Sequence, residues 1–274
     1  MEGLLIAIPS HQRWKMFEKG TISYIPKNLY GQTCIVVGED EADEYHEVVP
    51  EGVTVFCPNT KGIAQTRQWI MEKTIELGYK YVLYLSDDLS FSYRNEEEKL
   101  KPAKKSHFVK MIDQLYDWLK QGYVHVGVSQ RAFNHTTTGP YTEITRMNDV
   151  YAYEAAKVLE HGACFDNLPV MEDFDVTLTL LKKGEPNIVT HEYAWSQRKS
   201  GEEGGCSEYR TWKMQRDAAF ALSNRHPGLV KVLTKKSKSQ WEGVGSTRVD
   251  VNIYWKKAYK PKRTKNVDFF GGLK

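Results

Sequence analysis

Tyr81-Val82-Leu83-Tyr84-Leu85-Ser86-Asp87-Asp88 is an unbroken apolar run that ends directly on two carboxylates. A short continuous apolar run closed by polar residues is the pattern of a strand buried on both faces. Three similar runs lie upstream: residues 4–8, which end at Pro9-Ser10; residues 33–37, closed by Gly38; and residues 53–56, stopped by Pro58-Asn59. Helical patterns separate them. Residues 14–24 form one. The acidic stretch 39–44 suits a helix start, where carboxylates oppose the positive end of the dipole. Residues 66–77 place Ile70, Thr74 and Leu77 on one face, and Gly78 ends them. Strands alternating with helices predict a parallel sheet with crossover helices. Ligands of such open sheets sit beyond the carboxyl ends of the strands. Three ends carry chemistry: Pro9-Ser10-His11-Gln12-Arg13, the segment 59–67, and Ser86-Asp87-Asp88. Gly38-Glu39-Asp40 belongs to the same rim.

The second half is less regular. Residues 107–121 make an amphipathic helix through Phe108, Met111, Ile112, Leu115, Trp118 and Leu119. Strands are expected at 124–128 and 150–155, and helices at 172–183 and 211–223. Segments 96–105, 131–139 and 200–206 read as loops. No internal repeat or linker marks a second domain, so one α/β domain (residues 1–230) with a basic C-terminal extension (231–274), packed on it or continuous with it, is expected.

The composition bounds the class. Of 274 residues, 41% are hydrophobic and 12% aromatic, which excludes a disordered chain. The longest apolar runs fall far short of the ~18 residues of a membrane span, and Met1-Glu2-Gly3 lacks the positive charge of a signal peptide. Cys34, Cys57, Cys164 and Cys206 are scattered without a CxxC, as in a reducing compartment. A cytoplasmic protein with no membrane partner is expected. The net charge of +3 conceals an asymmetry: residues 228–274 hold 12 Lys/Arg against three acids, a net of +9, leaving the body at −6. A basic tail on an acidic body fits a polyanionic partner, or simply a solvated tail.

Several constellations could carry chemistry, each with a plainer alternative. Asp87-Asp88 suits a hard divalent cation such as Mg²⁺ or Mn²⁺, or is an acidic turn. Glu172-Asp173-Phe174-Asp175 opens a helix; one carboxylate could accept a proton from an attacking hydroxyl, or all could complement the dipole. Gly62 to Arg67 joins a helix start to a guanidinium and suits a diphosphate, or is an ordinary strand–helix turn. His191 is a candidate third metal ligand, or a structural histidine. Gly204-Gly205 permit close backbone approach to a ligand or lid motion, or belong to a surface loop. In the tail, Lys235, Lys236, Lys256, Lys257, Lys260, Lys262 and Arg263 interleave with Trp241, Tyr254, Trp255 and Tyr259. Lysines contact phosphates while aromatics stack on bases; alternatively, the aromatics fill a core and the lysines face water.

The ordered set is Pro9-Ser10-x-x-Arg13, Gly62-x-x-x-x-Arg67, strand–Ser86-Asp87-Asp88, Glu172-Asp173-x-Asp175 and Gly204-Gly205. Over roughly residues 4–230 it resembles GT-A fold glycosyltransferases, and more closely the glycosyltransferases associated with TET/JBP base hydroxylases, a group encoded by phages and by kinetoplastids that make base J. The resemblance implies a GT-A (Rossmann-like) single domain with a mostly parallel central sheet. It places Pro9, Ser10 and Arg13 under the nucleotide of a donor, expected to be a UDP-sugar. Gly62, Arg67 and Asp87 would line the donor pocket. Asp88 would bridge a divalent cation (Mn²⁺ or Mg²⁺) to the diphosphate. Asp173, or in second place Glu172, would be the catalytic carboxylate, and Gly204, Gly205 and Arg210 would face donor or acceptor. Relatives commonly show Asp-Asp-Asp where this chain has Ser86-Asp87-Asp88. The implied reaction moves a sugar from a nucleotide-sugar to a hydroxymethyl group on a DNA pyrimidine, in the host cytoplasm for a phage enzyme. Two other readings share parts of the pattern: a GT-A enzyme acting on a glycan, lipid or protein, and a non-catalytic nucleic-acid-binding module, in which the acidic pairs have no purpose.

Overall fold

The apolar run Leu4–Pro9 forms β1, buried at every position. The computed structural model describes residues 1–134, 139–197, 204–205, 208–236 and 247–261. After β1 come α1 (Trp14–Phe17), β2 (Thr33–Val36), α2 (Ala42–Val48), β3 (Thr54–Phe56), α3 (Gly62–Glu76) and β4 (Tyr81–Leu85). The middle of the chain supplies β5 (Leu89–Arg94), β6 (Leu100–Pro102), α4 (Lys105–Lys120), β7 (His125–Gln130), α5 (Arg131–Asn134), β8 (Tyr141–Glu143) and β9 (Val150–Glu154). It closes with α6 (Ala155–Glu160), α7 (Glu172–Lys182), β10 (Asn187–Gln197), α8 (Trp212–Arg225), β11 (Val230–Lys236), β12 (Thr247–Ile253) and α9 (Trp255–Ala258).

The main sheet runs β3-β2-β1-β4-β9-β7-β10-β5-β6, with β8 paired to β10 beside that path. β1 pairs in parallel with β2 and β4, β2 with β3, and β7 with β10. β9 lies antiparallel to both β4 and β7, so those two strands point the same way. Most strands therefore share one direction, and the carboxyl ends of β1, β2, β4 and β7 meet on one edge. Alternate residues of the strands feed two cores. Leu4, Ile6, Ile8, Leu83 and Leu85 pack with Phe108, Met111, Ile112 and Leu115 of α4. Leu5, Ala7, Val82 and Tyr84 pack with Ile70 and Met71 of α3 and Val176 and Leu180 of α7. Each such side chain contributes about 1.5–3 kcal/mol on burial, which fixes the strand register and hence the position of the edge.

Four expectations are corrected. The helix over residues 14–24 is broken into α1 and a 3-10 turn, Thr21–Tyr24. Thr21 is clamped to the exit of β4, its N–H donating to Asp87 O (2.9 Å) and its hydroxyl to Ser86 O (2.5 Å). A continuous helix would have used that N–H internally. The loop at 96–105 is the β5–β6 hairpin, running into α4. Residues Arg131–Asn134 of the next expected loop form the short α5. Finally, β10, where no element was expected, is an 11-residue strand at the centre of the right half of the sheet.

The described part of the C-terminal segment forms a hairpin and a short helix. β11 and β12 pair antiparallel from Val230↔Ile253 to Lys236↔Thr247. Val230, Val251 and Ala258 share a third core with Leu178 and Leu181 of α7 and Ala219 and Leu222 of α8. The expected boundary at residue 230 thus falls on the first residue of a strand packed into the rest of the molecule.

Candidate active site

The exit of β1 is where the edge becomes chemical. Ser10 N–H donates to Val36 O (2.9 Å), holding the turn beside β2. The Ser10 hydroxyl donates to Asp87 and lies 2.5 Å from the Tyr45 hydroxyl. Tyr45, fully buried in α2, also accepts from Arg13 N–H (3.1 Å). Glu41, at the start of α2, accepts from Gln12 N–H (2.5 Å) and pairs with His11 Nδ1 (3.0 Å). That bond and the negative charge of Glu41 raise the His11 pKa. Gln12 itself takes φ +54° to make the turn. These partners lie about thirty positions away in sequence, so α2 fixes a loop that Pro9 and Ser10 only begin.

Arg13 then reaches both strand-end acids, Nη1 lying 2.7 Å from Asp87 Oδ1 and 2.8 Å from Asp88 Oδ2. Both Asp87 oxygens are engaged, Oδ2 by Ser10 and Oδ1 by Arg13. Asp88 differs: its buried Oδ1 has no hydrogen-bond partner. Burial, and the neighbouring Asp87 and Asp149, push the Asp88 pKa up to about 6 against the pull of Arg13.

Asp149 is a site residue that the sequence reading missed. It precedes β9 with φ +60°, the left-handed region that Asp tolerates better than most side chains. Its Oδ1 accepts from the Ser86 hydroxyl (3.0 Å) and Gln197 Nε2 (3.1 Å), and its Oδ2 from Asn148 Nδ2 (2.6 Å). Ser86 therefore holds a carboxylate delivered by the turn before β9. The dipeptide Asn148-Asp149 before a strand was the available signal.

His191 is placed elsewhere. Gln197 pairs with Leu89, next to Asp88, and His191 lies six residues back along β10, inside the register shift between Thr190 and Ala194. Its Nε2 bonds Thr142 Oγ1 (2.8 Å), and burial and Arg94 lower its pKa. The structure does not bring it to Asp87 and Asp88. Among the described residues no group of three or more His, Cys, Asp or Glu is spaced to hold a metal ion.

The first turn of α7 delivers the second acidic pair. Met171, its N-cap, has φ +64°, a costly conformation that clusters at functional sites. Glu172, 4% exposed, is ion-paired with Arg67, 7% exposed. The Arg67 guanidinium lies 5.3 Å from the Tyr151 ring centroid, and its carbonyl accepts from Tyr84 OH (2.8 Å). Arg67 is thus a buried partner of Glu172, and not an open finger at the helix start. Asp173 keeps the free role. Burial and the Glu172 charge raise its pKa to about 7, opposed by Arg67 and Arg146. Asp175 on the next face is structural: Arg225 (2.8 Å), His226 (2.7 Å) and Asn167 (3.0 Å) hold it and tie α7 to the end of α8.

Gly204 and Gly205 close the site over Arg13. Gly205 N–H donates to His11 O (2.8 Å). A Cβ on Gly204 would stand 2.7 Å from the His11 and Gln12 carbonyl oxygens, and φ is +89°. Backbone atoms cannot give way as a side chain can. Gly204→Ala is therefore expected to destabilise this contact by about 1–3 kcal/mol, read as a lower melting temperature. Tyr209, following the same loop, accepts from Ile63 N–H (3.0 Å) and lies against Gly62 at the start of α3. Arg210 bonds Gln215 Oε1 of α8 (3.1 Å for Nε).

The tail cations divide. Lys235 pairs with Asp250 (3.2 Å), as does Arg248 (3.1 Å), and Lys257 donates to Gly228 O (3.2 Å). Lys236, Lys256 and Lys260 are exposed. Lys262, Arg263 and Trp241 lie outside the described residues. Trp255 and Tyr259 pack on the third core, whereas Tyr254 is exposed. No helix among the described residues is long and apolar enough to cross a membrane.

A family model described as TET-associated glycosyltransferase matches residues 4–205. Among curated proteins none matches the sequence. Similar solved structures include GalNAc-T7 with UDP, GalNAc and Mn²⁺, at 13% identity and a TM-score of 0.52 over 72% of this chain and 44% of that one. Another is mannose-1-phosphate geranyltransferase from Thermus thermophilus, at 10% identity and a TM-score of 0.45, covering 71% and 76% of the two chains. At this identity the likeness to GalNAc-T7 speaks for the fold alone, a GT-A arrangement as expected, and this chain spans less than half of that one.

Proposed function

The chain belongs to the TET-associated glycosyltransferase family, and from that premise we propose that it moves a sugar from a UDP-sugar to the hydroxymethyl group of a modified DNA pyrimidine. One observation carries this reading. The Arg13–Asp87–Asp88 cluster and the Glu172–Asp173 pair, far apart along the chain, are both within electrostatic reach of Asp149. The first cluster suits a donor diphosphate carried with a divalent cation, and the second the acceptor hydroxyl.

Pro9, Ser10 and Arg13 would floor the nucleotide site, with Gly62 and the Gly204-Gly205 loop around it. Asp173 accepts the proton of the attacking hydroxyl, while Glu172 is held by Arg67. A divalent ion fits in a limited way. The unpartnered Asp88 Oδ1 offers an oxygen ligand, Asp87 is already engaged, and the donor diphosphate would have to supply most of the remaining ligands. Such an ion would supply charge neutralisation for the departing nucleoside diphosphate. A glycosyltransferase solved with Mn²⁺ shares this fold.

The test is mass spectrometry of hydroxymethylated DNA after incubation with the protein, Mn²⁺ and a panel of nucleotide-sugars, with glycan acceptors in parallel. A hexose-sized mass gain on the DNA supports the reading; transfer to glycans alone overturns the DNA acceptor. If Lys236, Lys256 and Lys260 contact phosphates, log affinity should fall against log salt with a slope of about −0.9 per contact. A flat dependence would remove them from the interface.

A further inference from the structure

Beside Asp173 the surface carries a feature that the reaction has not used. Phe133, on α5 at the carboxyl end of β7, is 56% exposed. The exposed Arg146 lays its guanidinium 5.9 Å from the Phe133 ring centroid and 4.9 Å from that of Phe174. Phe174 is the residue after Asp173, and Trp255 meets it edge-on at 5.7 Å. Lys256, the next residue along α9, is exposed.

We propose that Phe133, Arg146 and Phe174 form a shelf on which a base of the nucleic-acid acceptor stacks, presenting its substituent to Asp173. The proposal rests on the DNA reading above and names the part of the site that would grip the acceptor. Aromatic faces and guanidinium planes are the surfaces on which splayed bases stack. A guanidinium over two rings gives the surface a positive charge. Arg146 and Lys256 match the charge of a phosphate backbone, for which a neutral glycan has no need. A base paired within a duplex has both faces covered by its neighbours, so stacking here requires a single-stranded or extruded nucleotide.

The experiment uses the full chain and a short labelled oligonucleotide with one 5-hydroxymethylpyrimidine, single-stranded and in duplex. Fluorescence anisotropy reads binding, and steady-state kinetics read the acceptor KM and donor KM separately. Phe133→Ala is expected to weaken single-strand binding about 5–150-fold, the range for loss of one stacking aromatic. Acceptor KM should rise with it while donor KM stays, and Phe133→Trp should bind as the wild type does. Arg146→Ala should weaken binding in the same direction. Because both side chains are exposed, both variants should melt like the wild type. If the wild type glycosylates DNA but Phe133→Ala and Arg146→Ala keep its acceptor KM, the shelf is overturned and the DNA reading stands. If the wild type uses nucleotide-sugars yet neither binds nor modifies DNA, both are overturned.

Discussion

Asp173→Asn is expected to lower turnover by about 10²–10⁴, the range for losing a general base, while donor and acceptor binding persist. The side chain keeps its shape and loses its ability to accept a proton. The neighbouring acid cannot substitute, because Glu172 is buried against Arg67. The wild type should also show a pH signature. Burial and Glu172 raise the Asp173 pKa to about 7, so below that pH the carboxyl is protonated and inactive as a base. Activity, as kcat/KM, should rise through the region near pH 7 and level off above it. That limb should vanish in Asp173→Asn. Near-wild-type turnover by a folded variant would remove Asp173 from the role and turn attention to the other carboxylates of this edge, Asp88 and Asp149.

The family resemblance ranks Asp173 before Glu172, but the partner that makes their surroundings differ is invisible in the sequence. β1, β2 and β4 are legible because a strand covered on both faces must be apolar throughout, and each is buried at every residue; β3, at the sheet edge and only partly buried, is marked instead by the Pro58-Asn59 that follows it. Their ends then point to the site. β10 was missed because Asn187–Gln197 mixes Asn, Thr, His, Glu and Ser with apolar residues, and its pairing with β7 shifts register between Thr190 and Ala194. Without that strand, His191 was free to be read as a ligand. The β11–β12 hairpin was hidden by its charge: its core-facing Val230, Val232, Val249 and Val251 alternate with lysines and polar residues. In the acidic pair, the sorting comes from Arg67, which lies 105 positions from Glu172. Spacing along one helix carries no trace of a partner so remote. The same holds for Glu41 and Tyr45 behind the β1 exit.

Glu172→Gln should be the most destabilising of the site substitutions. It leaves the Arg67 charge buried, beside Tyr151, without its carboxylate. Breaking a buried ion pair by removing one partner costs about 3–5 kcal/mol, and a chain of this size should lose on the order of 10 °C in melting temperature. Arg67 has no easy escape. Its backbone is pinned by Tyr84 in the middle of the α3 packing, and its Nε already lacks a partner. Removing both charges should cost much less, since a buried pair replaced by apolar groups is often neutral. The double variant Arg67→Met/Glu172→Gln should therefore melt above Glu172→Gln alone. The single variant should also move the acid limb of the rate profile. Glu172 is one of the charges raising the Asp173 pKa, whereas Arg67 lowers it. With Glu172 neutral and Arg67 intact, Asp173 loses its proton at lower pH, so the limb shifts toward acid. Asp173→Asn abolishes that limb with little loss of stability; Glu172→Gln keeps the limb, displaces it and destabilises the fold. A Glu172→Gln variant that melts like the wild type and keeps its pH profile would show that the Arg67 pair neither holds the first turn of α7 nor sets the acidity of Asp173.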